Sequence, residues 1–304
     1  LRRYTFSLQQ LHPLYKCTYY LYGMKRNQAQ SQFIDLMFRT YQSESESRAI
    51  WSEWLKVRHG GRINWELNFQ NDLTSDELEV YRSDLKRLQE HEPIAYVLGE
   101  LIWASLKFKI DNRALIPRPE TEELLFLLFK NVINPLRIID ACTGSGCIAI
   151  ASKIKYPLAD VIGFDISEDA LKLADENSKL NQVNLKLYQN DLMRSIPKWV
   201  KPKNDDVWLG NPPYIAPSEY LDRSLNFEPD MALFSSDTNP IIYYDKISQW
   251  AQVGLKTKGT LLFEVNVKHA KMIAELLQKQ DVWSEIQIFK DNCGKDRFIK
   301  SIRL

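Results

Sequence analysis

The chain has 304 residues, enough for a full α/β domain with a smaller domain beside it. Forty basic residues against thirty-nine acidic ones leave a net charge of +1, which argues against a broad phosphate-binding surface, and no apolar run is long enough to span a bilayer. Cys17, Cys142, Cys147 and Cys293 are scattered and the four histidines show no ligand spacing, so neither a disulfide framework nor a metal is expected.

Residues 1–34 carry no acid but five basic side chains, Arg2, Arg3, Lys16, Lys25 and Arg26. That composition predicts a transit segment, a mitochondrial location, and a stretch 1–26 dispensable for catalysis. The alternative is a basic first helix that belongs to the domain, in a cytoplasmic protein. Helical segments are expected over residues 33–38 and 49–57. Trp51, Trp54 and Leu55 sit at helical spacing and are read as core rather than as a stacking platform. Gly60 and Gly61 close the second helix. Thr74-Ser75-Asp76-Glu77 forms a capping box that opens a third, running to about Gln89. A small helical domain therefore ends near His91.

Residues 101–110 alternate with period two near their end, which predicts a hairpin. Leu115-Ile116-Pro117-Arg118-Pro119-Glu120-Thr121-Glu122 links the hairpin to the C-terminal two-thirds of the chain. Thr121 is expected to cap a helix whose Leu124, Leu125, Leu127 and Leu128 pack on a sheet. Arg118 and Glu120 are read as locking the linker onto the domain, with a ligand contact as the alternative.

The remainder alternates strand and helix. A buried strand over 136–140 leads into Ala141-Cys142-Thr143-Gly144-Ser145-Gly146 and a helix from Cys147. Strand, glycine turn and helix make the nucleotide-binding opening of a doubly wound sheet. There is no Gly-x-Gly-x-x-Gly for a pyrophosphate, and Asp140 would repel phosphate. An acid beside the turn suits a cationic ligand instead, such as the amino group and sulfonium of S-adenosylmethionine. The next strand, 161–166, carries Asp165 at the spacing of a carboxylate that grips both ribose hydroxyls. A helix over 169–180 and a strand over 185–189 come next.

A fourth strand then stops at Asn211-Pro212-Pro213-Tyr214. Proline lacks an N–H and forces the residue before it into extended or turn geometry. The strand end thus presents a side-chain amide, free carbonyls and a ring, the parts that hold a planar, neutral nitrogen. The Asn211 oxygen and the Pro212 carbonyl can each accept one N–H, and the Tyr214 ring can lie against the π-face. A plain turn is the alternative. A helix over 241–251, a strand over 259–265 and an antiparallel pair over 285–289 and 297–302 complete the alternation.

Together these segments resemble the HemK-type release factor glutamine methyltransferases. His91-Glu92-Pro93-Ile94-Ala95-Tyr96-Val97-Leu98-Gly99 is similar to that family's Glu-Pro-x-x-Tyr-x-x-Gly segment, and residues 117–122 to its Pro-Arg-Pro-Glu-Thr-Glu linker. The resemblance implies a Rossmann-like class I methyltransferase domain with a seven-stranded sheet closed by an antiparallel pair, over 121–304. A hairpin linker over 92–120 and a helical substrate-recognition domain within 1–91 would precede it. It implies S-adenosylmethionine as cofactor, held by Asp140, Cys142, Thr143, Gly144, Ser145, Gly146, Asp165, Asp191, Leu192 and Asn211, with Asp191 accepting the adenine amine. Asn211, Pro212 and Tyr214 would be catalytic, and with Pro213 would hold the substrate glutamine. The implied partner is a peptide-chain release factor, met by a monomer with no membrane or direct nucleic-acid contact. The rival activity is methylation of an adenine or guanine amine, which fits the same pocket but calls for a basic face. The chain departs from the family pattern at Cys142, where the first loop glycine is expected. A small side chain fits there if φ stays negative. Leu192 stands where an aromatic residue is common, so any contact there is apolar.

Overall fold

The structure, a computed structural model, describes residues 23–218, 222–236 and 238–304. The chain divides into two compact units, which meet in sequence between Leu98 and Gly99.

The first unit is helical: α1 (Arg26–Tyr41), α2 (Glu44–His59), α3 (Arg62–Leu67), α4 (Ser75–Gln89) and α5 (Ile94–Leu98). Local chemistry sets the boundaries. The Ser43 hydroxyl accepts from the Glu46 N–H at the start of α2, and Gly60 ends that helix at φ 69°. Thr74 and Glu77 form the expected capping box on α4. Phe33, Trp54, Trp65 and Tyr81 are fully or almost fully buried, and Trp51 stacks on Trp54 at 5.3 Å between ring centres. The tryptophans are therefore core. The buried Asp84 carboxylate accepts from Trp54 Nε1 at 2.9 Å and from Arg58 Nε at 2.8 Å, which satisfies the polar groups this packing encloses.

Two boundaries differ from those expected of the sequence. Arg26 is not outside the domain. It opens α1, pairs with Glu77 at 2.7 Å, and lies over the Trp65 ring at 4.9 Å. A deletion reaching residue 26 would therefore cut into this unit. Arg2, Arg3 and Lys16 lie outside the described residues. The unit also runs past His91, because the Arg87 guanidinium donates to Glu92 Oε2 at 2.7 Å, to the Tyr96 carbonyl at 3.0 Å and to the Val97 carbonyl at 3.1 Å. One side chain stitches 92–97 onto α4.

The second unit begins with the hairpin β1 (Glu100–Trp103) and β2 (Leu106–Lys109). Its two-residue turn holds Ala104 and Ser105 at φ 48° and 62°, the twist a tight hairpin needs even without glycine. Helix α6 (Pro119–Asn131) is next, with Pro119 in its first turn. Arg118, not Thr121, stands at the cap position.

Alternating elements then build the sheet: β3 (Arg137–Ala141), α7 (Cys147–Lys155), β4 (Asp160–Asp165), α8 (Glu168–Leu180), β5 (Lys186–Gln189) and β6 (Asp205–Gly210). After a short α9 (Asp230–Leu233) come α10 (Ile242–Gly254), β7 (Leu255–Glu264), α11 (Ala270–Lys279), β8 (Trp283–Lys290) and β9 (Asp296–Arg303). The seven strands run in the order β5-β4-β3-β6-β7-β9-β8, with β9 antiparallel to both neighbours. This is the class I methyltransferase sheet. Ile139, Phe164, Trp208 and Phe263 are buried with Tyr244, Ile247 and Trp250 of α10 in one core. The strand order reverses between β3 and β6, so a crevice opens beyond their carboxyl ends. Asp140, Asp165, Asn211 and Glu264 all stand at or just beyond the ends of parallel strands on that edge.

Candidate active site

The turn after β3 is wound left-handed at three places: Cys142 at φ 59°, Gly144 at 54° and Gly146 at 80°. The condition under which a side chain fits easily at Cys142, a negative φ, is thus not met. The loop keeps a glycine's backbone with a side chain on it, at a cost of about 1 to 3 kcal/mol. Gly146 has a packing reason as well, since a Cβ there would lie 3.0 Å from the Ala174 Cβ. The thiols do not supply a nucleophile. Burial holds Cys142 well above the usual thiol range and pushes Cys147 up to about 12.

Two carboxylates hold this turn. Asp140 is fully buried, and its Oδ2 accepts from the Thr143 hydroxyl at 2.7 Å and from the Ala149 N–H at 3.1 Å. Its Oδ1 is buried with no partner among the described residues. Burial pushes Asp140 up to about 7; the two hydrogen bonds oppose this, and the charge of Asp165 adds to it. Asp165 accepts from the Gly144 N–H at 2.9 Å through Oδ2 and from the Ser167 N–H at 3.0 Å through Oδ1. Burial raises its pKa too.

A cavity of about 290 Å³ opens over the turn. Its wall contains Cys142, Thr143, Gly144, Ser145, Asp165, Asp191, Leu192, Asn211 and Pro213. Asp140 and Gly146 lie outside this lining, so both act from behind the wall. Asp191 Oδ1 is occupied by the Met193 N–H at 2.8 Å. A second cavity, of about 320 Å³, is lined by Pro212, Tyr214, Ile215 and Leu233, and it shares Asn211, Arg118, Leu115 and Ala232 with the first.

Asn211 therefore stands on the partition between two cavities. Its Nδ2 makes a long 3.4 Å hydrogen bond to Thr121 Oγ1, and its Oδ1 is buried without a partner among the described residues. A buried, unpaired amide oxygen is costly unless something arrives to donate to it.

The same chain order appears in known proteins. The PrmC N-terminal domain model matches residues 36–99, and the methyltransferase small domain model matches residues 121–225. A release factor glutamine methyltransferase of Lactococcus lactis subsp. lactis is 36% identical over 250 residues, 81% of this chain and 90% of the relative. One of Flavobacterium psychrophilum is 34% identical over 247 residues, 77% of this chain and 85% of the relative. This chain belongs to the release factor glutamine methyltransferase family.

As a member of that family, with this sheet, the chain is an S-adenosylmethionine-dependent methyltransferase. Of the two linker residues, Arg118 makes the locking contact expected of it. Arg118 Nη2 donates to Glu228 Oε1 at 2.6 Å, and the buried Glu228 accepts the Ile116 N–H at 3.0 Å through its other oxygen. Arg118 also lines both cavities, whereas Glu120 lines neither. Tyr214 is pushed up to about 12 by burial, so its hydroxyl stays neutral and cannot serve as a base. Two groups beside Asn211 do not stand out as site residues in the sequence. One is Thr121, which reads there as a cap; the other is Glu264, the last residue of β7. A carboxylate ending an apolar strand at the ligand edge is the signal that could have flagged Glu264.

Proposed function

We propose that this enzyme methylates the side-chain amide nitrogen of the glutamine in the Gly-Gly-Gln loop of a peptide-chain release factor. S-adenosylmethionine would occupy the cavity over the turn after β3, and the glutamine would enter from the one lined by Pro212 and Tyr214. Asn211 Oδ1 on the shared partition, without a partner among the described residues, carries this reading, because it supplies the acceptor that a primary amide needs.

The residues present fit the cofactor. The unpaired Asp140 oxygen provides negative charge behind the turn, and Asp165 keeps lone pairs for ribose hydroxyls after accepting its two backbone N–H groups. Thr143, Gly144 and Ser145 would pack against the cofactor, with Asp191 and Leu192 at its adenine. When bound, it supplies an electrophilic methyl group. An amide nitrogen is a weak nucleophile because its lone pair is delocalised into the carbonyl. Asn211 Oδ1 and the Pro212 carbonyl would take the two amide hydrogens, raise electron density on nitrogen, and hold the lone pair toward the methyl, the surplus proton leaving to water once the nitrogen is cationic. The Tyr214 ring and Pro213 would pack over the amide. Alignment of this kind is worth up to about 7 to 11 kcal/mol of barrier.

Incubating the enzyme with labelled cofactor and purified release factors, beside RNA and DNA, should place one methyl on the glutamine of that loop by mass spectrometry. Label in adenine or guanine would replace this reading with the nucleic-acid one.

We also propose that the protein acts in mitochondria, as a monomer. The acid-free, basic composition of residues 1–34 supports the location, although Arg26 is committed to its ion pair with Glu77. Fused to a fluorescent reporter, residues 1–24 should carry it into mitochondria; a reporter left in the cytosol would end the proposal.

A further inference from the structure

Thr121 lines the cavity assigned above to the methyl donor, beside Asn211, and Glu264 lies outside the lining of both cavities. Thr121 is 2% exposed and Glu264 1%. The Thr121 hydroxyl donates to Glu264 Oε2 at 2.7 Å, while its Oγ1 receives the Asn211 Nδ2–H at 3.4 Å. Tyr244 steadies the same strand end, donating to the Glu264 backbone carbonyl at 3.1 Å. We propose that Thr121 and Glu264 are positioning residues that fix which end of the Asn211 amide faces the acceptor nitrogen.

This inference rests on the function proposed above, and the reason is directional. An ionised carboxylate only accepts hydrogen bonds. The single hydroxyl proton of Thr121 therefore goes to Glu264, and Thr121 Oγ1 is left as an acceptor toward Asn211. Only the NH₂ end of the asparagine can answer it. The oxygen end must then point away, which is where Oδ1 lies unpaired. The two ends of a primary amide are nearly identical in shape, so packing alone selects between them poorly. A flipped Asn211 would set two N–H groups against the two N–H groups of the incoming glutamine.

Protonation of Glu264 breaks the direction of the chain. A carboxylic acid can donate to Thr121 Oγ1, which frees the hydroxyl proton to turn toward Asn211 and accommodate its oxygen. Burial pushes Glu264 up to about 7; the Thr121 bond and the charges of Arg297 and Arg118 oppose this, and Glu120 adds to it. Arg297 faces it from β9, Arg118 and Glu120 from the start of α6. Tyr214, Tyr244 and Cys147 are the other titratable groups in its field, and all three have raised pKa values that keep them neutral near pH 7. The active form is the ionised one, so turnover at saturating cofactor should fall as pH is lowered through about 7.

The test uses the full chain, labelled S-adenosylmethionine and a folded release factor. Thr121→Val should lower kcat by at least about tenfold, with KM for the factor and cofactor affinity nearly unchanged, and Thr121→Ser should restore most of the loss. Glu264→Gln should lower kcat and also abolish the acid limb of its pH profile. A second readout needs no substrate. In ¹⁵N-labelled enzyme the Asn211 side-chain NH₂, identified by its loss in Asn211→Asp, should exchange with solvent slowly, and faster in Thr121→Val. Undiminished kcat in Thr121→Val, or an acid limb that persists in Glu264→Gln, overturns the inference. If Thr121→Val does not fold, Glu264→Gln and its pH profile decide. If the wild-type enzyme methylates no release factor, the function proposed above fails, and the amide-exchange comparison still decides the role of Thr121.

Discussion

Asn211→Ala should lower kcat for release-factor methylation by about 100- to 1000-fold, the scale on which removal of one preorganised polar group at a reacting centre is felt. The side chain does two things that alanine cannot. Its Oδ1, unpaired among the described residues, lies on the wall between the two cavities, and its Nδ2 is tied back to Thr121, so the acceptor is held before substrate arrives. With alanine, one amide hydrogen of the glutamine has no partner and the nitrogen can turn away from the methyl. The turn from Cys142 to Gly146 is untouched, since its hydrogen bonds run to Asp140, Asp165, Phe164 and Asn177. Cofactor affinity should therefore suffer less, although Asn211 also lines that cavity, and the loss should fall mainly on kcat. Single-turnover measurements at saturating cofactor test this. Wild-type turnover in Asn211→Ala would sink the role assigned to the residue.

Asp165→Ala should weaken S-adenosylmethionine binding by about 1.5 to 3 kcal/mol, roughly 10- to 100-fold. Part of that loss is direct, a charged acceptor taken away from the ribose hydroxyls. Part is indirect, because Asp165 also accepts the Gly144 and Ser167 N–H groups and so holds the cofactor turn to β4. Asp165→Asn should fare little better, since its NH₂ would oppose one of those two donors. Once cofactor is saturating, kcat should return close to wild type, the reverse of the pattern in Asn211→Ala. Titration calorimetry separates the two variants. An unchanged dissociation constant for Asp165→Ala would refute the ribose assignment.

Much of this molecule is local, and local features could be read from the chain. The apolar runs that became β3, β4, β6 and β7 are strands because each is bounded by a turn signal and too short for a helix. The Thr74 capping box lies within four residues, and its two hydrogen bonds formed as expected. Asn211-Pro212-Pro213-Tyr214 had to leave the ladder, since proline offers no donor to it. For the same reason the turn around Gly144 and the acids at 140 and 165 were visible: they sit at fixed distances from a strand end.

Folding decided what passes between distant segments. Thr121 looks like a helix cap because threonine, then acid, then leucines is how helices begin. Its hydroxyl went instead to Glu264, 143 residues away, once α6 packed beside the end of β7. Arg26 looks like part of a basic leader until α4 brings Glu77 to within 2.7 Å of it. Cys142 keeps φ at 59° because the hydrogen bonds of the turn over-determine its backbone, against the preference of any residue with a Cβ. The chain by itself determined an alternation of strands and helices whose fourth strand stops at Asn211-Pro212-Pro213-Tyr214, because periodicity, turn residues and prolines act over a few positions. Only the tertiary structure decided which way the Asn211 amide points, because that depends on one proton shared across three segments that are neighbours in space alone.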